Sequence, residues 1–72
     1  MFDENDVVQL TKDLPEENLK AGDKGTILMV LSVSPPVYEI EFMNDDGETL
    51  AVTTIYNHPL SLIWSYKKRS TV

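Results

Sequence analysis

Cysteine is absent from this sequence of 72 residues, and its absence removes several functional classes at once. A chain without thiols forms no disulfide, no thiolate zinc site and no cysteine nucleophile, so we expect a reducing, cytoplasmic setting. Histidine occurs once, at His58, beside Pro59, where Asn57-His58-Pro59 predicts a corner. Because one histidine without cysteine does not make the usual zinc constellation, we interpret His58 as a structural turn residue.

Long apolar runs are also lacking. The longest stretch without Asp, Glu, Lys or Arg, residues 49–66, contains Asn57, His58 and Pro59, which a lipid-facing helix would not accommodate. Residues 1–6 are acidic and polar, the opposite of a signal peptide, which begins basic and continues apolar. We therefore expect neither export by that route nor a membrane contact.

Basic residues are few and are separated from the acidic ones. All twelve acidic residues lie at or before Glu48, whereas Lys67, Lys68 and Arg69 cluster near the end of a chain whose net charge is −6. A surface dominated by carboxylates repels phosphate backbones and attracts basic surfaces. The charge pattern therefore favours a basic protein as partner and disfavours nucleic acid.

Alternating and β-branched residues predict five short strands and no helix, with a long excursion after the first strand. In the third strand Tyr38, Ile40 and Phe42 face one side while Glu39 and Glu41 face the other. The second strand is apolar without a break, which indicates a bent strand. The predicted strands are residues 6–10, 25–32, 38–42, 49–56 and 62–66.

The fold class predicted from this order is all-β, a small five-stranded antiparallel SH3-like barrel. It forms a single domain over residues 1–66, followed by a flexible basic tail at 67–72. Gly25 and Gly47 are each expected to follow a tight turn, and Pro35-Pro36 is expected to be an extended connection. The predicted core residues are Val8, Leu10, Ile27, Val30, Ile40, Phe42 and Val52.

One segment resembles known families. Gly22-Asp23-Lys24-Gly25-Thr26-Ile27, preceded by Asp6-Val7-Val8 and followed by Asp46-Gly47-Glu48-Thr49, is similar to a bacterial and cyanobacterial domain-of-unknown-function family over about residues 6–63. That resemblance implies an SH3-like barrel and no particular activity. The same Gly-Asp-x-Gly step is similar to KOW motifs, which implies nucleic-acid binding, and to nitrile hydratase β-subunit-like barrels. KOW domains that bind RNA surround the step with basic residues, whereas this chain has Asp13, Glu16, Glu17 and Asp23 there.

No residue combination indicates catalysis. Glu39 and Glu41 share a strand face about 7 Å apart, but nothing nearby would make one of them an acid and the other a base. The stretch from Asn44 to Glu48 lacks the spacing that wraps a calcium ion. We therefore expect no enzyme, no metal and no cofactor, and we interpret the two glutamates as an exposed charged face.

Three aromatic residues suggest recognition. Tyr56, Trp64 and Tyr66, together with Glu39 and Glu41, are the candidate partner-binding residues, although Trp64 also suits a role as the plug of one barrel end. The leading hypothesis is a non-catalytic protein-interaction module with an acidic face, immunity- or antitoxin-like toward a basic protein. The alternatives are a KOW-like nucleic-acid binder and a structural homodimer through the last strand, whose edge carries no charge or proline.

Overall fold

The computed structural model describes residues 2–56 and 59–71, and the regular structure in this part of the chain is β-strand apart from one 3₁₀ turn. No helix in it has the length and apolar character that crossing a bilayer requires. The predicted all-β class is confirmed, and the corner predicted at Asn57 and His58 lies outside the described residues. The elements are β1 (Val7–Leu10), a 3₁₀ turn (Pro15–Glu17), β2 (Lys24–Val33), β3 (Pro36–Met43), β4 (Thr49–Tyr56), β5 (Leu60–Ser65) and β6 (Ser70–Thr71).

The strands form one antiparallel sheet in the order β4-β3-β2-β1-β5-β6. β2, β3 and β4 follow one another as hairpins. β1 lies between β2 and β5, so that it pairs the amino-terminal part of the chain with the late strand β5. Five strands correspond to the predicted five, and their order is consistent with an SH3-like barrel. Within the described residues the sheet is not closed, so that β4 and β6 form its edges.

β2 is bent, as its continuous apolar sequence predicted. Its register with β3 shifts between Ile27 and Met29 and again between Val30 and Ser32. Each shift marks a bulge or irregularity, which bends a strand and increases its twist. β2 therefore curves over the core. Pro36 was expected in an extended connection, but it is the first residue of β3, after a turn at residues 34–35.

The core lies against the inner face of the sheet. Five of the seven predicted core residues are buried: Val8, Leu10, Ile27, Ile40 and Phe42. Val30 is half-buried and packs against them, whereas Val52 is 55% exposed, so the prediction for Val52 is wrong. Val52 pairs with Glu41, and paired residues share a face, so both side chains lie on the outer face. Ala51 and Ile55 are the residues of β4 that pack against the core.

Glycine is required at two positions for different structural reasons. Gly47 has a φ of +83° in the turn after Asn44, as predicted, and there is open space where a side chain would begin. Gly25 lies, as expected, near the start of a strand after a tight turn, and it is the buried second residue of β2 after the turn at residues 21–22. A Cβ on Gly25 would lie 2.6 Å from Ile40 Cγ2 and 2.9 Å from the carbonyl oxygen of Glu41, so close packing, not a turn, requires glycine there.

The end of the chain differs from the flexible tail expected over residues 67–72. Residues 66–69 form a turn, and β6 pairs with β5 at Trp64 and Ser65. The amide of Lys68 donates to Ser65 Oγ at 3.3 Å, and Arg69 adopts a left-handed φ of 51° that helps to reverse the chain. The turn therefore brings the two-residue strand β6 back against β5.

Candidate protein-binding groove

β4 is the longest strand edge that the described part of the sheet leaves unpaired. It runs for eight residues, Thr49–Tyr56, and contains no charged residue and no proline. Outside its pairing with β3, its backbone makes no hydrogen bond to any described residue. Every second residue of an edge strand points its N–H and C=O away from the sheet, so β4 presents a row of free donors and acceptors.

The β1–β2 loop, residues 11–23, faces this edge and holds a defined shape. Leu14 and Leu19 exchange backbone hydrogen bonds at 2.9 and 3.1 Å across the 3₁₀ turn, and Asn18 takes the left-handed conformation that closes it. Leu19 is buried in the core and anchors the loop. The carboxylate of Asp13 accepts the amide of Ala21 at 2.8 Å, which fixes the far side of the loop.

An open groove of about 760 Å³ lies between the β1–β2 loop and β4, larger than two other surface grooves of about 440 and 430 Å³. We call it the acidic groove. One wall consists of loop residues Lys12, Leu14, Glu16 and Glu17, and the other of residues 52–56 of β4 with Pro59 and Glu39. The walls touch where Thr53 Oγ1 donates a hydrogen bond to Glu17 Oε1.

The groove carries an excess of negative charge. Glu16, Glu17 and Glu39 line it against one cation, Lys12, and Glu16 and Glu17 are exposed to solvent. None of the three carboxylates has an ion-pair partner among the described residues, where one ion pair forms elsewhere on the surface. Glu39 accepts a hydrogen bond from Thr54 Oγ1 at 3.3 Å, which leaves further oxygen lone pairs free. The groove therefore attracts cations without holding one of its own beyond Lys12.

The groove also offers apolar contact area. Val52 and Tyr56 lie on the outer side of β4 and are 55% and 70% exposed. Leu14 and Pro59 are half-buried on the opposite side and at the end of the groove. Exposed tyrosine and valine beside carboxylates are suited to a partner whose apolar and basic side chains alternate.

The structure separates the five predicted site residues into two groups. Glu39 and Tyr56 line the acidic groove, and Glu41 lies on the same outer face, where it accepts a hydrogen bond from Thr49. Glu39 and Glu41 thus each accept a hydrogen bond from a different threonine hydroxyl, and they do not form a carboxylate pair. The other two are Trp64, in β5, and Tyr66, just after it. Three strands separate β5 from β4 in the sheet.

Trp64 and Tyr66 form a small aromatic cluster beside β6. Their ring centroids are 6.1 Å apart in an edge-to-face arrangement, and the Arg69 guanidinium carbon lies 5.5 Å from the centroid of Tyr66. Trp64 is half-buried and Tyr66 is exposed. β6 covers the backbone edge of β5 at Trp64 and Ser65, the segment where the sequence indicated a bare edge for a homodimer.

Sequence reasoning did not find the loop wall of the groove. In the sequence Glu16 and Glu17 are acids near the KOW-like step, and in the structure they face β4 across the groove. The available signal was Pro15 followed by two acids, since proline at the first helical position with acids in the first turn is typical of a helical start. No set of three metal-ligating side chains is clustered in the part of the chain that the structure describes.

The comparisons with known proteins give a family and no function. A family model described as "Domain of unknown function (DUF4926)" matches residues 4–61. The matched span contains both walls of the acidic groove, and it agrees with the resemblance seen in the sequence. No curated protein and no solved structure matches the chain.

Proposed function

This chain belongs to the DUF4926 family of domains of unknown function, and we propose that it is a non-catalytic protein-interaction module. Its acidic groove binds a basic segment of another protein. The observation that carries the proposal is the position of Glu16, Glu17 and Glu39 along an uncovered strand edge, with Val52 and Tyr56 exposed beside them.

Charge makes this interaction selective for basic partners. With twelve acidic residues against six basic ones, the whole chain attracts basic proteins from a distance and discourages acidic ones. Contact then depends on the groove, where carboxylates are concentrated beside apolar surface. An immunity- or antitoxin-like role fits this chemistry, because a small acidic protein can neutralise a basic enzyme by occupying its substrate groove.

The KOW-like alternative has less support. In the Gly22–Ile27 step, Gly25 and Ile27 are buried within β2, and the exposed residues are Gly22 and Lys24, with Asp23 half-buried between them. Asp13 and Asp23 also use their carboxylates to bind backbone amides of the loop, so negative charge is fixed where a phosphate would approach.

Binding of a basic peptide tests the proposal. The probe is a fluorescein-labelled peptide of alternating lysine and valine, as long as the eight residues of β4, and its Kd is measured by fluorescence anisotropy. We expect saturable binding that weakens as salt screens the charges. An otherwise identical peptide with glutamate in place of lysine is expected not to bind.

A matched pair of variants locates the contact. Glu16→Gln with Glu17→Gln removes two charges from the groove, and we expect the affinity to fall about tenfold. Asp45→Asn with Asp46→Asn removes two charges from the exposed hairpin tip, and we expect a change of less than about twofold. Equal effects of the two pairs would contradict a groove-specific contact, and RNA binding tighter than peptide binding would favour the KOW-like alternative.

A further inference from the structure

We infer that the partner segment binds as an added β-strand on the free edge of β4, between β4 and the β1–β2 loop. This inference rests on the proposed function and specifies its geometry. The partner is an extended segment in which basic residues alternate with apolar ones, and it needs no preformed fold of its own.

Apart from one register shift near its beginning, the edge of β4 has none of the features that usually prevent strand addition. Natural edge strands carry charges, prolines or bulges, or they are very short. β4 has eight residues without charge or proline, and its one register shift with β3 lies between Phe42 and Met43, near its beginning. The remaining length is regular and its outer backbone groups are unpaired, although the side chain of Thr53 contacts Glu17 of the β1–β2 loop.

The register of β4 predicts which partner side chains go where. Thr53 is bonded to Glu17, so the side of β4 that carries Ala51, Thr53 and Ile55 faces the loop. The other side carries Val52, Thr54 and Tyr56. Side chains of an added strand alternate between these two sides with a period of two residues. One set therefore meets Glu16 and Glu17, and the other packs beside Val52 and Tyr56.

Charge selects a basic segment over a second copy of this chain. Pairing β4 with β4 of another copy would bring the acidic loop walls of both copies toward one interface. Glu16 and Glu17 are exposed and lack cationic partners among the described residues, so each copy would repel the other. A lysine- or arginine-bearing strand instead meets Glu16 and Glu17 on one side, and the apolar surface of Val52 and Tyr56 near Glu39 on the other.

A scan of N-methylated peptides tests the backbone contact. Each peptide has the same lysine and valine side chains, and a single backbone amide carries a methyl group, moved one position at a time. In an added strand only alternate amides point toward β4, so methylation at those positions removes a hydrogen bond and places a methyl group against the edge. Because only the peptide is altered, folding of the protein is not at issue.

The expected result is an alternation. Methylation at one set of positions lowers the affinity about tenfold or more, while methylation at the intervening positions changes it less than about threefold. A flat profile, whether tolerant or intolerant at every position, would overturn strand addition and leave the acidic groove intact. Failure of the unmethylated peptide to bind would overturn the proposed function itself. Sedimentation velocity of the free chain adds one further outcome, since a dimer abolished by Tyr56→Lys would identify a second copy as the occupant.

Discussion

Replacing Asp6 by alanine is expected to be one of the most destabilising single substitutions of a polar residue in this protein. Asp6 is 3% exposed, and its two carboxylate oxygens accept the amides of Asp3 and Tyr66, each at 2.9 Å. No cation pairs with it among the described residues. Its contribution is therefore to satisfy backbone donors that join the amino-terminal segment, β1 and the turn after β5.

The magnitude follows from those two bonds. A hydrogen bond to a charged group contributes about 1.5–3 kcal/mol, and Asp6→Ala removes the acceptor of two part-buried backbone donors while relieving the cost of burying the carboxylate. We expect a net loss of about 2–4 kcal/mol. Since a chain of this size has a total stability of roughly 4–11 kcal/mol, the loss is a large share of it. The melting temperature should fall by roughly 10–30 °C.

Urea unfolding followed by the fluorescence of the single tryptophan, Trp64, measures the effect. Asp6→Asn serves as an intermediate variant, because its amide oxygen still accepts one bond while its NH₂ group opposes the second donor. Asp45→Ala, at an exposed position, controls for loss of one negative charge. A free energy of unfolding for Asp6→Ala within about 0.5 kcal/mol of the parent would refute this account of the carboxylate.

The remaining predictions concern packing and the location of binding. Phe42→Ala should cost about 3–5 kcal/mol in urea unfolding, and Val52→Ala less than about 1 kcal/mol, because only Phe42 is buried; similar costs would show that the register is misplaced. Gly25→Ala should cost about 1–3 kcal/mol through overlap with β3, whereas the cost of Gly47→Ala, about 1–2 kcal/mol, comes from backbone strain. Tyr66→Ala should leave the affinity for the lysine–valine peptide within about twofold by anisotropy, since it removes no charge from the groove and Tyr66 lies outside it; a larger loss would move the contact to β5.

The sequence predicted those parts of the fold that depend on local pattern. Alternation of Tyr38, Ile40 and Phe42 with glutamates correctly placed three residues of β3 on the core face, because a strand has a period of two. Asn44 to Gly47 correctly predicted the hairpin turn, where Asn44 Oδ1 accepts the amides of Asp46 and Glu48.

Features that depend on distant residues were not predictable in the same way. The orientation of Val52 is fixed by its pairing with Glu41, and an uncharged strand gives no internal signal of which side faces inward. The local sequence of residues 67–72 predicts a tail, whereas the turn after β5 is anchored by Asp6, sixty residues away from Tyr66 in sequence. Polar composition alone does not reveal such a contact.

Only part of the candidate site could be predicted, because its two walls come from segments that are distant in sequence. Glu39 follows from the outward side of an alternating strand and Tyr56 from its aromatic character, and both line the acidic groove. Glu16 and Glu17 approach them only because the β1–β2 loop folds back toward β4, a long-range arrangement fixed by the burial of Leu19. The aromatic pattern near the end of the chain instead belongs to a separate cluster.

Mapping the peptide contact by ¹H–¹⁵N correlation spectra tests the central claim most directly. The ¹⁵N-labelled chain is titrated with the lysine–valine peptide, and amide shifts are followed residue by residue. The account predicts that the largest changes fall on β4 and on residues 11–23, and that hydrogen exchange slows at the outward-pointing amides of β4. Changes centred on Trp64 and Tyr66, or on the Gly22–Ile27 step with β4 unaffected, would contradict it.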